Sequence, residues 1–275
     1  MAERSLSLPT FVNNLDRREE ATRMSQRDIA GGSYKSAQEQ SVEQDLVQYF
    51  EDCPIPSDQI LANLGLFLSS KNLSRILFMD HLYRLIHSVP GIVMEFGTRW
   101  GQNLALFSAL RGIYDPYNRH RKIVGFDTFA GFPSISSEDG ASDLMQVGKR
   151  AVTERYVGYL ERIMELHEGI NPLSHIKKFE LIQGDAIETV PRYMDENPET
   201  IIALAFFDFD LYEPTKKCLE VIRSRLVKGS VLGFDELNDH GAPGKTQALM
   251  ETFGLNNVSL KRFPYASRVS YFVVE

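Results

Sequence analysis

The stretch AFFDFDLYEPT, residues 205–215, carries the clearest chemical signal in the chain. An apolar run ends in two carboxylates, Asp208 and Asp210, with one aromatic residue between them. On an extended strand residues two apart share a face, so this pair would stand side by side and repel. Acids placed in this way call for a shared cation. Other short apolar runs end in the same manner. GIVMEFG delivers Glu95, KIVGFD delivers Asp127, FELIQG leads into Asp185, and SVLGFDE delivers Asp235 and Glu236.

The elements that must position these acids follow from periodicity. Beyond Pro90, apolar runs at 91–97, 122–127, 179–184, 201–210 and 230–236 read as strands. Helical patterns follow them at about 102–113, 143–167, 186–195, 214–226 and 244–253. Strand–helix alternation with near-continuous apolar strands predicts a parallel sheet covered on both faces. The segments 258–263 and 269–275 read as a closing antiparallel pair. Ligands of open parallel sheets bind beyond the carboxyl ends of the strands, where the acids of this chain collect.

Upstream, residues 41–89 form a helical extension. VEQDLVQYFED places Val42, Leu46, Tyr49 and Phe50 on one face, Ser57 is a candidate cap for SDQILANLGLFLSS, and LSRILFMDHLYRLIHS repeats apolar residues at three and four. Such broad apolar faces must pack on something. Residues 1–40 are polar and aperiodic, with Phe11, Met24 and Tyr34 spaced along them, and read as an arm or lid that orders over a ligand. Residues 90–275 are then the cofactor-binding and catalytic domain.

Composition narrows the function classes. The 275 residues are 43% hydrophobic and 24% charged, enough for a large core and against global disorder. The net charge of −7 and the absence of a basic stripe argue against nucleic acid. No apolar stretch approaches a membrane span. Two distant cysteines, Cys53 and Cys218, exclude a disulfide framework and, with a polar N-terminus, point to the cytoplasm.

EFGTRWGQN (95–103) joins the first strand of the alternating region to its helix. A dinucleotide turn wants G-x-G-x-x-G. Here Gly97 fits the first position, Arg99 stands where the second glycine belongs, and Gly101 follows. The loop therefore suits a nucleoside cofactor without a pyrophosphate better than NAD. Asp127, at the end of the next strand, is placed to accept from both hydroxyls of a ribose. Asp185 could accept from an adenine amino group or cap the following helix.

Taken together, EFG…RWGQN, FDTFAGFP (126–133), QGDAIETVP (183–191), DFDLYEPT (208–215) and GFDE (233–236) resemble the class I S-adenosylmethionine-dependent methyltransferases. More narrowly they resemble the macrocin O-methyltransferase family, metal-dependent enzymes of antibiotic deoxysugars. The resemblance runs from about Leu73 to Met250. It implies a Rossmann-like fold with a mostly parallel seven-stranded sheet, S-adenosylmethionine, Mg²⁺ or another divalent cation, and often a homo-oligomer. It places Glu95, Gly97, Thr98, Arg99, Gly101, Asp127, Thr128, Gly184, Asp185, Ala186 and Asp208 around the cofactor. It makes Asp208, Asp235 and Glu236 the metal ligands, since carboxylates at neighbouring strand ends can ring one hard cation. The chain departs from the family in Phe209 between the two acids, and in Glu236 where a second aspartate is usual.

The expected reaction is methylation of a small-molecule hydroxyl, with a sugar in natural-product biosynthesis as the expected acceptor. A metal lowers the hydroxyl's pKa and a carboxylate takes the proton. Asp210 is the expected general base, with Asp208 its rival. Two other readings compete. Asp208-Phe209-Asp210 also matches the D-x-D of metal-dependent nucleotide-sugar glycosyltransferases, and a non-catalytic relative could use the fold for binding alone. Trp100 is read as packing over the cofactor or plugging the core. Tyr212 and Glu213 shape the substrate pocket or serve as first-turn residues. His240 is a loop residue near the metal strand, His81 and His87 are helix-face residues, and GAPGKTQ (241–247) falls short of a P-loop.

Overall fold

The computed structural model describes residues 36–266 and 268–275. The arm or lid reading of the N-terminal segment, with Phe11, Met24 and Tyr34, therefore lies outside the described residues.

Seven strands form one sheet in the order β3-β2-β1-β4-β5-β7-β6. The strands are β1 Ile92–Phe96, β2 Ile123–Asp127, β3 Phe179–Gln183, β4 Ile202–Phe207, β5 Leu226–Asp235, β6 Lys261–Arg262 and β7 Val269–Val273. The first five are parallel, and β7 runs antiparallel to both β5 and β6. This is the Rossmann-like sheet the alternation predicts. The chain winds outward through β2 and β3, then returns to lay β4 on the other side of β1. A crevice opens at that reversal, above the carboxyl ends of β1 and β4.

Helices cover both faces. On one side α2 (Ser70–Leu85), α3 (Gln102–Tyr114) and α4 (Tyr156–Ile170) bury Phe78, Leu82, Leu104, Phe107 and Met164 against Val93, Leu204 and Phe206. On the other side α5 (Ala186–Glu196), α6 (Tyr212–Ile222) and α7 (Gly244–Thr252) bury Val190, Tyr193, Leu219 and Leu249 against Phe96, Phe126, Phe207 and Phe234. Every residue of β4 is buried, as a strand covered on both faces requires. Helix α2 shares one core with the sheet, so packing is continuous across the boundary drawn at residue 90.

Several expectations are corrected. The helix α1 (Ala37–Glu51) starts within the segment read as an arm, because Ser36 and Glu39 form a reciprocal capping box. Its apolar side packs only thinly: Phe50 meets the Phe67 ring edge-on at 4.9 Å, but Val42, Tyr49 and Phe50 stay exposed and the helix buries no residue. Ser57 is not a cap. The turn opens one residue earlier, where Gln59 N–H donates to the Pro56 carbonyl, and a 3₁₀ segment follows over Ile60–Phe67. Residues 143–155 are not helical. Gly148, Arg150 and Arg155 take left-handed backbone conformations there, and Phe132 exchanges backbone hydrogen bonds with Gly148 and Lys149. The segment is thereby held as a loop beside the crevice. Finally, β4 stops at Phe207, so Asp208 and Asp210 lie beyond the strand.

Candidate active site

A ladder of phenylalanines levels the sheet edge. Phe126, Phe96, Phe207 and Phe234 are register partners on β2, β1, β4 and β5. Their rings stack in sequence at 5.5, 4.6 and 5.2 Å between centroids. Three of them immediately precede an acid: Asp127, Asp208 and Asp235. Stacked rings thus place these carboxyls at one height above the core.

The glycine loop lies at the reversal point. Gly97 has φ 94°, and a Cβ there would come within 2.8 Å of the Asp208 carbonyl. Glycine is required both by the left-handed turn and by the close approach of the chain leaving β4. Arg99 N–H donates to Asp127 Oδ2 at 2.8 Å and Phe129 N–H donates to Oδ1 at 2.5 Å. Burial pushes the Asp127 carboxyl up, and these two donors act against it. Each oxygen keeps a lone pair for a ligand hydroxyl. Thr128 Oγ1 donates to the Gly131 carbonyl and fixes the next turn. Gly184 turns the chain out of β3, and Asp185 caps α5 through Ile187 N–H at 3.0 Å. The cap reading of Asp185 therefore holds, and its carboxyl also lines the cleft.

Glu95 is fully buried on β1. Its Oε1 accepts from Asn103 Nδ2 at 2.6 Å, while Oε2 is buried without a partner, as is Thr98 Oγ1. Burial first, then Asp208, raises the Glu95 carboxyl well above its ordinary range.

These residues enclose a cleft of about 300 Å³. Gly97, Thr98, Arg99, Asp127, Thr128, Gly184, Asp185 and Ala186 line one part of it, and Asp208, Asp210, Asp235 and Glu236 another. Of the site residues expected from sequence, Glu95 and Gly101 stand behind the lining. Gly101 caps α3 with φ 74°.

The carboxylates pair differently from the side-by-side arrangement expected of Asp208 and Asp210. Asp208 is paired with Asp235: Arg75, from α2, reaches Asp208 Oδ2 at 2.5 Å and Asp235 Oδ2 at 3.1 Å. Burial first, then Asp235, raises the Asp208 carboxyl, against the pull of Arg75. At Asp235 burial also pushes upward, but Arg75 and Lys245 outweigh it and hold the group below its ordinary range. The two carboxyls are thus electrostatically coupled, and Arg75 bridges them. Asp210 has its own cations, Arg150 at 3.4 Å and Lys245 at 3.7 Å. Glu236 meets Arg268 at 2.5 Å, on a backbone with φ 58°.

A divalent ion is tested by this donor set. Asp208 and Asp235 present hard oxygens to one positive charge, which suits Mg²⁺. Glu236 is turned to Arg268, and among the described residues no three metal-ligating side chains converge. The fit thus rests on the aspartate pair, and Glu236, paired with Arg268, does not join it here.

Sequence reasoning missed four polar residues. Arg75 interrupts the apolar pattern of α2 without any motif to mark it, and Asn103 joins it to Glu95 by accepting from Arg75 Nε at 3.3 Å. Lys245, dismissed with the incomplete P-loop, is buried with Nζ on the Asp235 carbonyl. Arg150 sat in a stretch read as helix. Among the lesser candidates, Trp100 does not plug the core. It is 38% exposed, lines the cleft and packs edge-on against Tyr156 at 4.7 Å. The Tyr212 hydroxyl donates to Glu251, and neither Tyr212 nor Glu213 lines the cleft. His81 packs between Phe263 and Tyr271, His87 faces Asp115, and His240 lies in a separate surface depression.

No family model and no curated protein matches the chain. Solved structures do. A crystal structure of CalS11, a calicheamicin methyltransferase, is 43% identical with a TM-score of 0.86, covering 88% of this chain and 94% of that one. An apo structure of CalS11, described as a TDP-rhamnose 3'-O-methyltransferase of calicheamicin biosynthesis, is 40% identical with a TM-score of 0.78, covering 88% and 96%. The O-methyltransferase NovP, at 19% identity and a TM-score of 0.55 over 73% and 79%, shares the fold.

Proposed function

The chain belongs to the class I S-adenosylmethionine-dependent O-methyltransferases of antibiotic deoxysugars, and within that family we propose that it methylates a sugar hydroxyl with the help of a divalent cation. The observation that carries this reading is the contact between Gly97 and Asp208. It sets the cofactor loop directly against the carboxylates that would receive the acceptor. Family membership argues against the glycosyltransferase reading, and turnover in the test below decides the non-catalytic one.

When bound, the cofactor supplies an electrophilic methyl group on a sulfonium sulfur. Asp127 accepts from its ribose hydroxyls, and the unpartnered Glu95 Oε2 and Thr98 Oγ1 offer polar partners beneath the loop. Gly97, Arg99 and Gly101 shape the loop around it, while Thr128, Gly184, Asp185 and Ala186 border the nucleoside. Asp208 and Asp235 would hold the cation, with Glu236 as third ligand, and the ion would lower the pKa of the acceptor hydroxyl. Asp210, flanked by Lys245 and Arg150, would take the hydroxyl proton as the acceptor oxygen forms its bond to the methyl carbon. Transfer would leave the cofactor sulfur as a neutral thioether, the electrons of the broken carbon–sulfur bond staying with sulfur. Arg75, Arg99 and Arg150 line the cleft and suit an acceptor carried on a diphosphate, as in the substrate for which CalS11 is described.

Two further features complete the proposal. The apolar residues that α1 exposes meet a second copy of the chain, and the enzyme works in the cytoplasm. The test supplies S-adenosylmethionine with TDP-rhamnose, with free rhamnose, and with no acceptor. Mass spectrometry should show one added methylene on the nucleotide sugar. No methylation of either sugar would defeat the reading.

A further inference from the structure

Arg75 is absorbed neither by the cofactor nor by the base. It leaves α2, whose Phe78, Met79, Leu82 and Tyr83 are fully buried, so the helix that carries it is firmly seated. Its two terminal nitrogens divide between Asp208 and Asp235, and its Nε donates to Asn103. These are also the two carboxylates that would hold the ion. A guanidinium and a divalent cation placed on the same pair of oxygens would repel at contact distance, where Coulomb terms are largest. They cannot share the pair.

We infer that Arg75 is the built-in counter-cation of the acceptor site, and that it and the divalent ion are alternative occupants of the Asp208–Asp235 pair. This rests on the metal reading proposed above. In the ion-free site Arg75 offsets the repulsion of two partly buried carboxylates, which would otherwise be left uncompensated. When the ion enters, the guanidinium leaves. Its side chain is 27% exposed and lines the cleft, so it has open space to move into. Its departure gives up the Nε contact to Asn103, while the Asn103 amide keeps its own bond to Glu95, so the cofactor pocket is left intact.

The test is direct binding of Mn²⁺ to the full chain, read from the loss of the free-ion electron paramagnetic resonance signal. Two variants are compared with wild type: Arg75→Gln removes the charge, and Arg75→Lys keeps it but cannot bridge both carboxylates in fork geometry. Binding of S-adenosylhomocysteine and a cooperative melt establish that each variant is folded. Arg75→Gln should bind Mn²⁺ about tenfold tighter or more, the scale expected when an adjacent unit charge is removed. Arg75→Lys should bind severalfold tighter, and Mn²⁺ should raise the melting temperature of both variants more than that of wild type. If Arg75→Gln fails to fold, Arg75→Lys decides. Wild-type binding with equal or weaker affinity in the folded variants overturns the exchange and leaves the metal reading standing. No binding by any of the proteins removes the metal reading and the exchange with it.

Discussion

Phe207 and Phe234 face each other across β4 and β5, with centroids 5.2 Å apart and ring planes 13° from parallel. The next residue along the chain from each is an aspartate of the Asp208–Asp235 pair. Core packing and active-site geometry are therefore one arrangement at this point.

Phe207→Ala should cost about 3–5 kcal/mol of stability, the usual range for emptying a buried phenylalanine site. It should also lower turnover in the protein that remains folded, because Asp208 loses its support. Urea unfolding followed by assay at a permissive temperature measures both. A loss below about 1 kcal/mol would mean that the stack is not a structural element.

Asp127→Ala should weaken S-adenosylmethionine binding by about 1.5–3 kcal/mol, the scale of hydrogen bonds to a charged group. Part of that loss comes from the loop, since Arg99 N–H and Phe129 N–H lose their acceptor. Asp127→Asn retains one carbonyl acceptor and should lose less. Calorimetry on both variants separates the contributions, and an unchanged affinity in Asp127→Ala would remove this residue from the cofactor site.

Asp210→Asn should lower kcat by about 10²–10⁴-fold, as loss of a positioned base does. Binding of S-adenosylhomocysteine should stay the same, because Asp210 faces Arg150 and Lys245 and not the glycine loop. If Asp210→Asn keeps its rate while Asp208→Asn loses it, the base is Asp208.

Dialysis against a chelator should abolish turnover and spare cofactor binding, with activity restored by added Mg²⁺. Asp235→Asn should raise the Mg²⁺ concentration needed for half-maximal rate. Full activity in the chelated enzyme would show that the carboxylates work without an ion.

The sheet was legible in the sequence because its strands are short apolar runs buried on both faces, a pattern set by local composition. The acids at strand ends, the glycine loop and their shared edge followed from chain order alone. The helix expected over 143–167 begins only at Tyr156, because Gly148, Lys149 and Val152 bond to the backbone of Phe129 and Phe132 and hold the first part as a loop, which residue type does not signal. The apolar face of α1 was legible as a pattern, but no rule of sequence says whether this chain itself covers it. The partners of the carboxylates were beyond reach for a firmer reason. Asp208 and Asp210 are neighbours in sequence, yet each finds its cations from elements far away: Arg75 on α2, Arg150 on a loop, Lys245 on α7. An ion pair depends on distances of a few ångströms, and only the packed fold brings those elements that close.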